Sequence, residues 1–185
     1  MKKGFTLIEL LIVIAIVAIL ASAVVVVLNP AQLLAQARDG QRIADLDNVR
    51  SAVGLFLATA TTTTGTFISS TTCMVGTSSP FATTTCATNT STAVDGTGWV
   101  TINFNYNSGG SPIAALPTDP VNDSIYFYSW TSNLSNLTFE IDARLESQKH
   151  RDKMTADGGN NNTCTGSYVD TTCFYEVGND PGLNL

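Results

Sequence analysis

Basic side chains are scarce in this 185-residue chain. Lys2 and Lys3 are two of its nine lysines and arginines, so beyond Gly4 only seven face fifteen aspartates and glutamates. A body this acidic does not attract polyanions, and nucleic acid is not expected as a partner of the single chain. The local cluster Lys149, Arg151 and Lys153 lies among acids and does not change that balance. Histidine occurs once. His150 sits in the charged run Glu146–Lys153, where a solvated surface position is expected, because nothing in the sequence singles out the oriented partner a catalytic base needs. No catalytic constellation is legible, and the chain reads as a non-enzyme. EF-hand loops are missing, and the four cysteines lack zinc-ligand spacing. Two further absences shape the N-terminus: no charge falls between Glu9 and Arg38, and no glycine between Phe5 and Asp39.

What is present there is apolar. Leu10–Leu28 carries a single hydroxyl, Ser22, and is long enough to cross a bilayer as a helix. The lysines before it mark the cytoplasmic side and send the C-terminal body outward. Glu9, at the lip of this run, is costly without a partner and is therefore a candidate functional residue. Thr6-Leu7-Ile8-Glu9 also has the spacing of a capping box. Beyond Asn29-Pro30, Leu33, Leu34, Ala37, Ile43, Leu46, Val49, Val53, Phe56 and Leu57 recur at helical spacing. Arg38, Asp39, Arg42, Asp45, Asp47 and Arg50 lie mostly off that stripe. One helix from about Phe5 to about Ala58 is expected, about 80 Å long at about 1.5 Å per residue. Pro30 is its weak point. It lacks a donor for Val26 and disfavours helical geometry at Asn29, so a kink or local unwinding is expected there.

From Thr59 the composition turns to Thr, Ser, Ala and Gly, the mark of an irregular surface connection. Strand signals follow at Trp99–Tyr106, Ile125–Trp130 and Leu137–Ala143, with a short fourth at Cys173–Val177. The expected fold is α+β: a long N-terminal helix packed on a small antiparallel sheet of three or four strands, with disulfide-stapled loops. The helical stripe would bury against Val100, Ile102, Phe104, Phe127, Phe139 and Ile141. Cys73, Cys86, Cys164 and Cys173 form an even set outside the apolar run and read as disulfides. Joining Cys73 to Cys86 and Cys164 to Cys173 closes two short loops, although four cysteines permit three connectivities.

Lys2-Lys3-Gly4-Phe5-Thr6-Leu7-Ile8-Glu9, followed by the apolar helix, closely resembles the class III leader of type IV pilins and type II secretion pseudopilins. The resemblance implies cleavage between Gly4 and Phe5 by a prepilin peptidase, and N-methylation of Phe5. It also implies that Glu9 neutralises the terminal amine of a neighbouring subunit. The physics agrees, since an ammonium and a carboxylate at the edge of lipid are each poorly solvated and pairing offsets the penalty. On this pattern residues 1–4 are the leader and 5–30 the membrane and filament-core half of the helix. Residues 31–58 are its amphipathic half and 59–185 the head. The implied partners are further copies in a helical filament, the cytoplasmic membrane before assembly, the prepilin peptidase, the assembly platform and minor pilins.

Leu116-Pro117-Thr118-Asp119-Pro120-Val121-Asn122-Asp123 looks like the proline-aspartate-proline loop of major pseudopilins and related pilins. Val121 and Asn122 stand where secretion pseudopilins usually have tryptophan and glycine. That departure, with the cysteines, favours a major pilin over a pseudopilin. The absence of glycine in the apolar helix departs from many type IV pilins. The resemblance implies a structural subunit, in the cytoplasmic membrane as a precursor and in an extracellular filament once assembled. Adhesion, motility and DNA uptake would be activities of the filament.

A rival reading takes Ala21-Ser22-Ala23 as an ordinary signal-peptidase site that releases a soluble secreted protein. No cofactor is required by either reading. Calcium is the candidate ion, with Asp119, Asp123, Asp157, Asn160, Asn161, Asn162 and Asp180 offering hard oxygens in turns, and the 157–162 loop is the leading candidate. Asn89, Asn122, Asn133, Asn136 and Asn161 begin N-x-Ser/Thr triplets, and the Thr-rich patches 59–66 and 83–85 are candidate O-glycosylation segments.

Overall fold

The computed structural model describes residues 4–60, 67–75, 80–81, 85–164 and 172–185. Lys2, Lys3 and most of both Thr-rich patches lie outside them. The chain divides into two compact units, Met1–Ala35 and Gln36–Leu185.

In the first unit, helix α1 runs Leu7–Leu28 behind a capping box at Thr6. The expected single helix is interrupted at Asn29, which adopts φ 41 and ψ 77, and helix α2 then runs Pro30–Thr59. The break falls one residue before the expected weak point. The proline ring excludes helical geometry from the residue before it, and asparagine tolerates the left-handed region better than most residues. Proline itself is well placed at the first position of a helix, where no donor is needed. The Asn29 carbonyl accepts from the Gln32 and Leu33 amides at 3.0 and 3.3 Å and so opens α2. Leu7–Val25 is the one helical segment among the described residues long and apolar enough to span a membrane, and none of it is buried.

In the second unit, α2 buries the lower part of the stripe its periodicity predicts, whereas Leu33, Leu34 and Ala37 of its upper part are exposed. Leu46, Val49, Val53 and Phe56 share a core with Val100, Ile102, Phe104, Phe127, Phe139 and Ile141. The sheet has five strands: β1 (Ser70–Cys73), β2 (Ala87–Thr88), β3 (Tyr128–Asn133), β4 (Thr138–Ala143) and β5 (Tyr175–Gly178). Their spatial order is β2-β1-β3-β4-β5, with β1 and β2 parallel and the other pairs antiparallel. Disulfides join Cys73 to Cys86 and Cys164 to Cys173, the pairing of sequence neighbours. The first ties β1 to the residue before β2.

Three strand expectations are corrected. The Thr/Ser-rich region, read as irregular, supplies β1 and β2, since threonine suits a pleated surface and the disulfide holds the two short segments together. Trp99–Tyr106, read as a strand, makes among the described residues only isolated bridges, from Ile102 to Phe67 and from Asn103 to Asp95. Asn103 captures the Asn105 amide at 3.1 Å with its side chain and turns Phe104–Tyr106 into a 3-10 helix. Trp99, Val100, Ile102 and Phe104 are fully buried all the same. Strand β3 starts later than expected because Asp123 accepts from the Ile125 and Tyr126 amides, both at 2.8 Å, and holds that stretch in a turn.

Candidate assembly site

Gly4, Phe5 and Glu9 stand in the open at the start of α1. A side chain at position 4 would meet nothing within 4 Å, and Phe5 is 84% exposed. Glu9 is tied back to Thr6, whose amide and hydroxyl donate to the same carboxylate oxygen, Oε2, at 2.9 and 2.7 Å. In return the Glu9 amide donates to the Thr6 hydroxyl at 3.3 Å. The cap satisfies helix donors but supplies no positive charge. Arg38 is the next basic residue along the chain, and the ion pairs among the described residues do not include Glu9. Leu10, Leu11, Ile12, Ile14, Ile16 and Val17 are all more than half exposed. Burying each such side chain would gain about 1.5–3 kcal/mol, so the helix is suited to lipid or to other apolar helices, not to water.

Residues 1–25 match the prokaryotic N-terminal methylation motif. A leader of this kind supports a precursor of the type IV pilin or pseudopilin sort, anchored in the membrane by its apolar helix. It implies processing by a prepilin peptidase and assembly into filaments with a membrane platform, and it suggests a structural protein. Comparison with curated proteins and with solved structures finds no match.

Behind this prepilin-type leader, the head holds a cluster that periodicity alone conceals. Arg42 and Asp39, read as lying off the apolar stripe, are fully buried. Arg42 donates to both oxygens of Asp119 at 2.6 and 2.9 Å, pairs with Asp39 at 3.1 Å and with Glu146 at 2.5 Å, and stands 4.9 Å from the centre of the Tyr126 ring. Arg38 adds a fork onto Glu146, with Nε at 2.9 Å and Nη2 at 2.5 Å. Asp39 accepts the amides of Glu146 and Ser147 at 2.8 and 2.7 Å. Burial alone would push the Glu146 carboxyl up, but hydrogen bonds from Arg38 and Arg42 outweigh it and hold the group below its ordinary value. The cluster fastens α2 to the proline-aspartate-proline loop and to the segment after β4. The signal in the sequence is the pairing of that loop's aspartate with an arginine on the flank of the apolar stripe.

This geometry gives Asp119 a structural partner. Its oxygens serve Arg42 and the amides of Val121 and Asn122 at 2.8 and 3.1 Å. Asp123 is exposed and closes its own turn, while Asp157 accepts from Gly159 and Glu176 at 3.1 and 2.9 Å. Asn160 is exposed, and Asp180 accepts from the Asn184 amide at 3.2 Å. Asp157 and Asp180 line one cavity of about 570 Å³; Asp119 and Asp123 are not among its lining residues.

His150 is less exposed than expected. Its Nδ1 lies 3.3 Å from the Ser147 hydroxyl and 3.6 Å from Asp39. Both contacts use one ring nitrogen, so these three residues lack the relay of a hydrolytic triad, which engages the two nitrogens separately. Among the sequons, Asn89 spends its amide on the carbonyls of Thr97 and Gly98, and Asn161 on the carbonyl of Pro80 and the carboxylate of Glu176. Asn136 is exposed in the β3–β4 hairpin.

Proposed function

We propose that this chain is the major structural subunit of a type IV pilus-like extracellular filament, held in the cytoplasmic membrane by α1 until it is assembled. The observation that carries the reading is an exposed apolar helix of 22 residues directly behind the prepilin-type leader, with Glu9 capped but paired with no cation among the described residues. In this mechanism, cleavage after Gly4 frees the Phe5 amine. That ammonium enters beside the Glu9 of a subunit already in place, and the pair sets the axial step between stems. The Leu10–Leu28 segments then bury one another along the filament core, and the disulfide-stapled heads face outward. Adhesion, motility or DNA uptake would belong to the assembled filament.

The second reading, a major pseudopilin of a secretion system, uses the same assembly step. The proline-aspartate-proline loop is compatible with both, and Val121-Asn122 after Pro120 favours the pilus. Intact-mass measurement and N-terminal peptide mapping of material sheared from cells at native expression separate the readings. A chain that begins at methylated Phe5, keeps Leu10–Leu28 and is abundant in the sheared fraction supports the pilus. The same processed chain confined to the envelope supports the pseudopilin. A chain that begins near Val24 makes this an ordinary secreted protein and ends the assembly mechanism.

A further inference from the structure

Strands β3, β4 and β5 are buried on both faces along most of their length. One face packs on α2 through Trp130, Phe139 and Ile141, while the alternate positions place Ser129, Asp142 and Glu176 in one row on the other face. Asp142 on β4 is in register with Ser129 on β3 and with Glu176 on β5. Glu140, two residues along β4, shares that face. Oxygens of Glu140, Asp142 and Glu176 lie within 4.8 Å of one another, and all three residues are at most 1% exposed.

Their partners are unequal. Glu176 accepts the backbone and side-chain amides of Asn161 at 3.0 and 3.2 Å, and Glu140 accepts the Leu185 amide at 3.1 Å. Among the described residues no amide, hydroxyl or guanidinium group donates to either oxygen of Asp142, whose side-chain hydrogen-bonding neighbour is the Glu140 carboxyl. The Ser129 hydroxyl, also fully buried and beside Asp142 in the register, has no hydrogen-bond partner among them. The ion pairs among the described residues gather on Arg38, Arg42 and His150 and include none of the three acids. Arg144, the residue after β4, lays its guanidinium 4.5 Å above the Phe174 ring and donates to the Ile125 carbonyl at 3.2 Å. A buried carboxyl that no amide or hydroxyl serves and a buried hydroxyl without a partner thus lie on one strand face with two further acids, a set of oxygen donors of the kind a hard cation takes.

We propose that Glu140, Asp142 and Glu176, with the Ser129 hydroxyl, form a buried site for one divalent cation, calcium in preference to magnesium. Every donor is oxygen, which excludes the soft-metal chemistry of thiolate sites. Oxygens spaced within 4.8 Å can all reach one ion at calcium's distance of about 2.3–2.6 Å. Magnesium holds an octahedral shell and keeps several waters, which a dry strand-built face does not accommodate. Glu176, Asp157 and Asp180 line the 570 Å³ cavity, which offers an entry path. Gly159 closes over Glu176, where any side chain would collide with the carboxylate. A bound ion would tie β3, β4 and β5 together on the face away from α2. This site differs from the turn aspartates that the sequence alone suggests, and it stands independently of the filament reading.

The test uses the full chain in detergent, stripped with EGTA and dialysed against radioactive calcium. One calcium per chain is expected. The thermal midpoint should rise by several degrees in millimolar calcium and by less in magnesium. Asp142→Asn removes a buried charge and should fold, bind no calcium and lose the rise; should it fail to fold, Glu176→Gln carries the same comparison. Asp123→Asn, in the outlying turn, should bind as the unmodified chain does. No bound calcium at millimolar concentration, undiminished binding in D142N or E176Q, or a stronger response to magnesium would each overturn the assignment.

Discussion

Replacing Arg42 with methionine tests what fastens α2 to the head. Methionine keeps much of the side-chain volume, so the change reads electrostatics more than packing. It strands Asp39 and Asp119, both with fully buried side chains, without their shared cation. Removing one partner of a buried ion pair costs about 3–5 kcal/mol. The low end applies, because other donors remain. Asp39 keeps the amides of Glu146 and Ser147, Asp119 keeps those of Val121 and Asn122, and Glu146 keeps Arg38. A loss of about 3 kcal/mol is therefore expected, or about 6–12 °C in Tm for a unit of this size. Guanidinium unfolding of the full chain in detergent measures it, with near-UV circular dichroism reporting on Trp99 and Trp130, the two tryptophans, both buried in the head. The double variant R42M/D119N should lose less than the sum of the single changes, since an amide at 119 is no longer an unpaired buried charge. A loss below about 1 kcal/mol for R42M, or strict additivity with D119N, would refute the argument.

Three further outcomes are expected. Glu9→Gln preserves the reciprocal cap with Thr6 but removes the charge, so both E9Q and E9A should insert in the membrane and yet enter filaments at least about tenfold less, the effect of about 1.4 kcal/mol per joint; normal filament yield from E9Q would remove the pairing step. Loss of the Cys73–Cys86 disulfide by paired serine substitution opens a loop with a sequence separation of 13 and should cost about 2–3 kcal/mol in denaturant unfolding, and an unchanged midpoint would mean that β1 and β2 hold without it. Glu146 titrates lower folded than unfolded, so its contribution is complete above its unfolded value of about 4.3 and is lost as pH falls through the folded one. The stability difference between the unmodified chain and E146Q should accordingly shrink from about pH 5 downward, and a difference that does not vary with pH would contradict the sign.

Residue order alone determines the parts of this protein whose causes are local. The apolar run, the Thr6–Glu9 cap and the leader lie within the first 28 residues, and each is read from adjacent positions. The buried stripe of α2 follows from helical spacing, and the neighbouring cysteines pair as short loops allow. The break at Asn29 is one residue from where a proline without a donor puts it. Tertiary structure decided the rest, because burial of a polar position depends on what returns to cover it. Arg42 sits on the flank of its stripe, and only the arrival of Asp119, 77 residues away, makes it a buried cation. Glu140 and Asp142 occupy the alternate positions of β4, which a sheet with one wet face would give to solvent. Both are buried, on a face where Gly159 and Asn161 come against Glu176 and the Leu185 amide reaches Glu140. Alternation along a strand specifies which residues share a face; the fold specifies whether that face meets water.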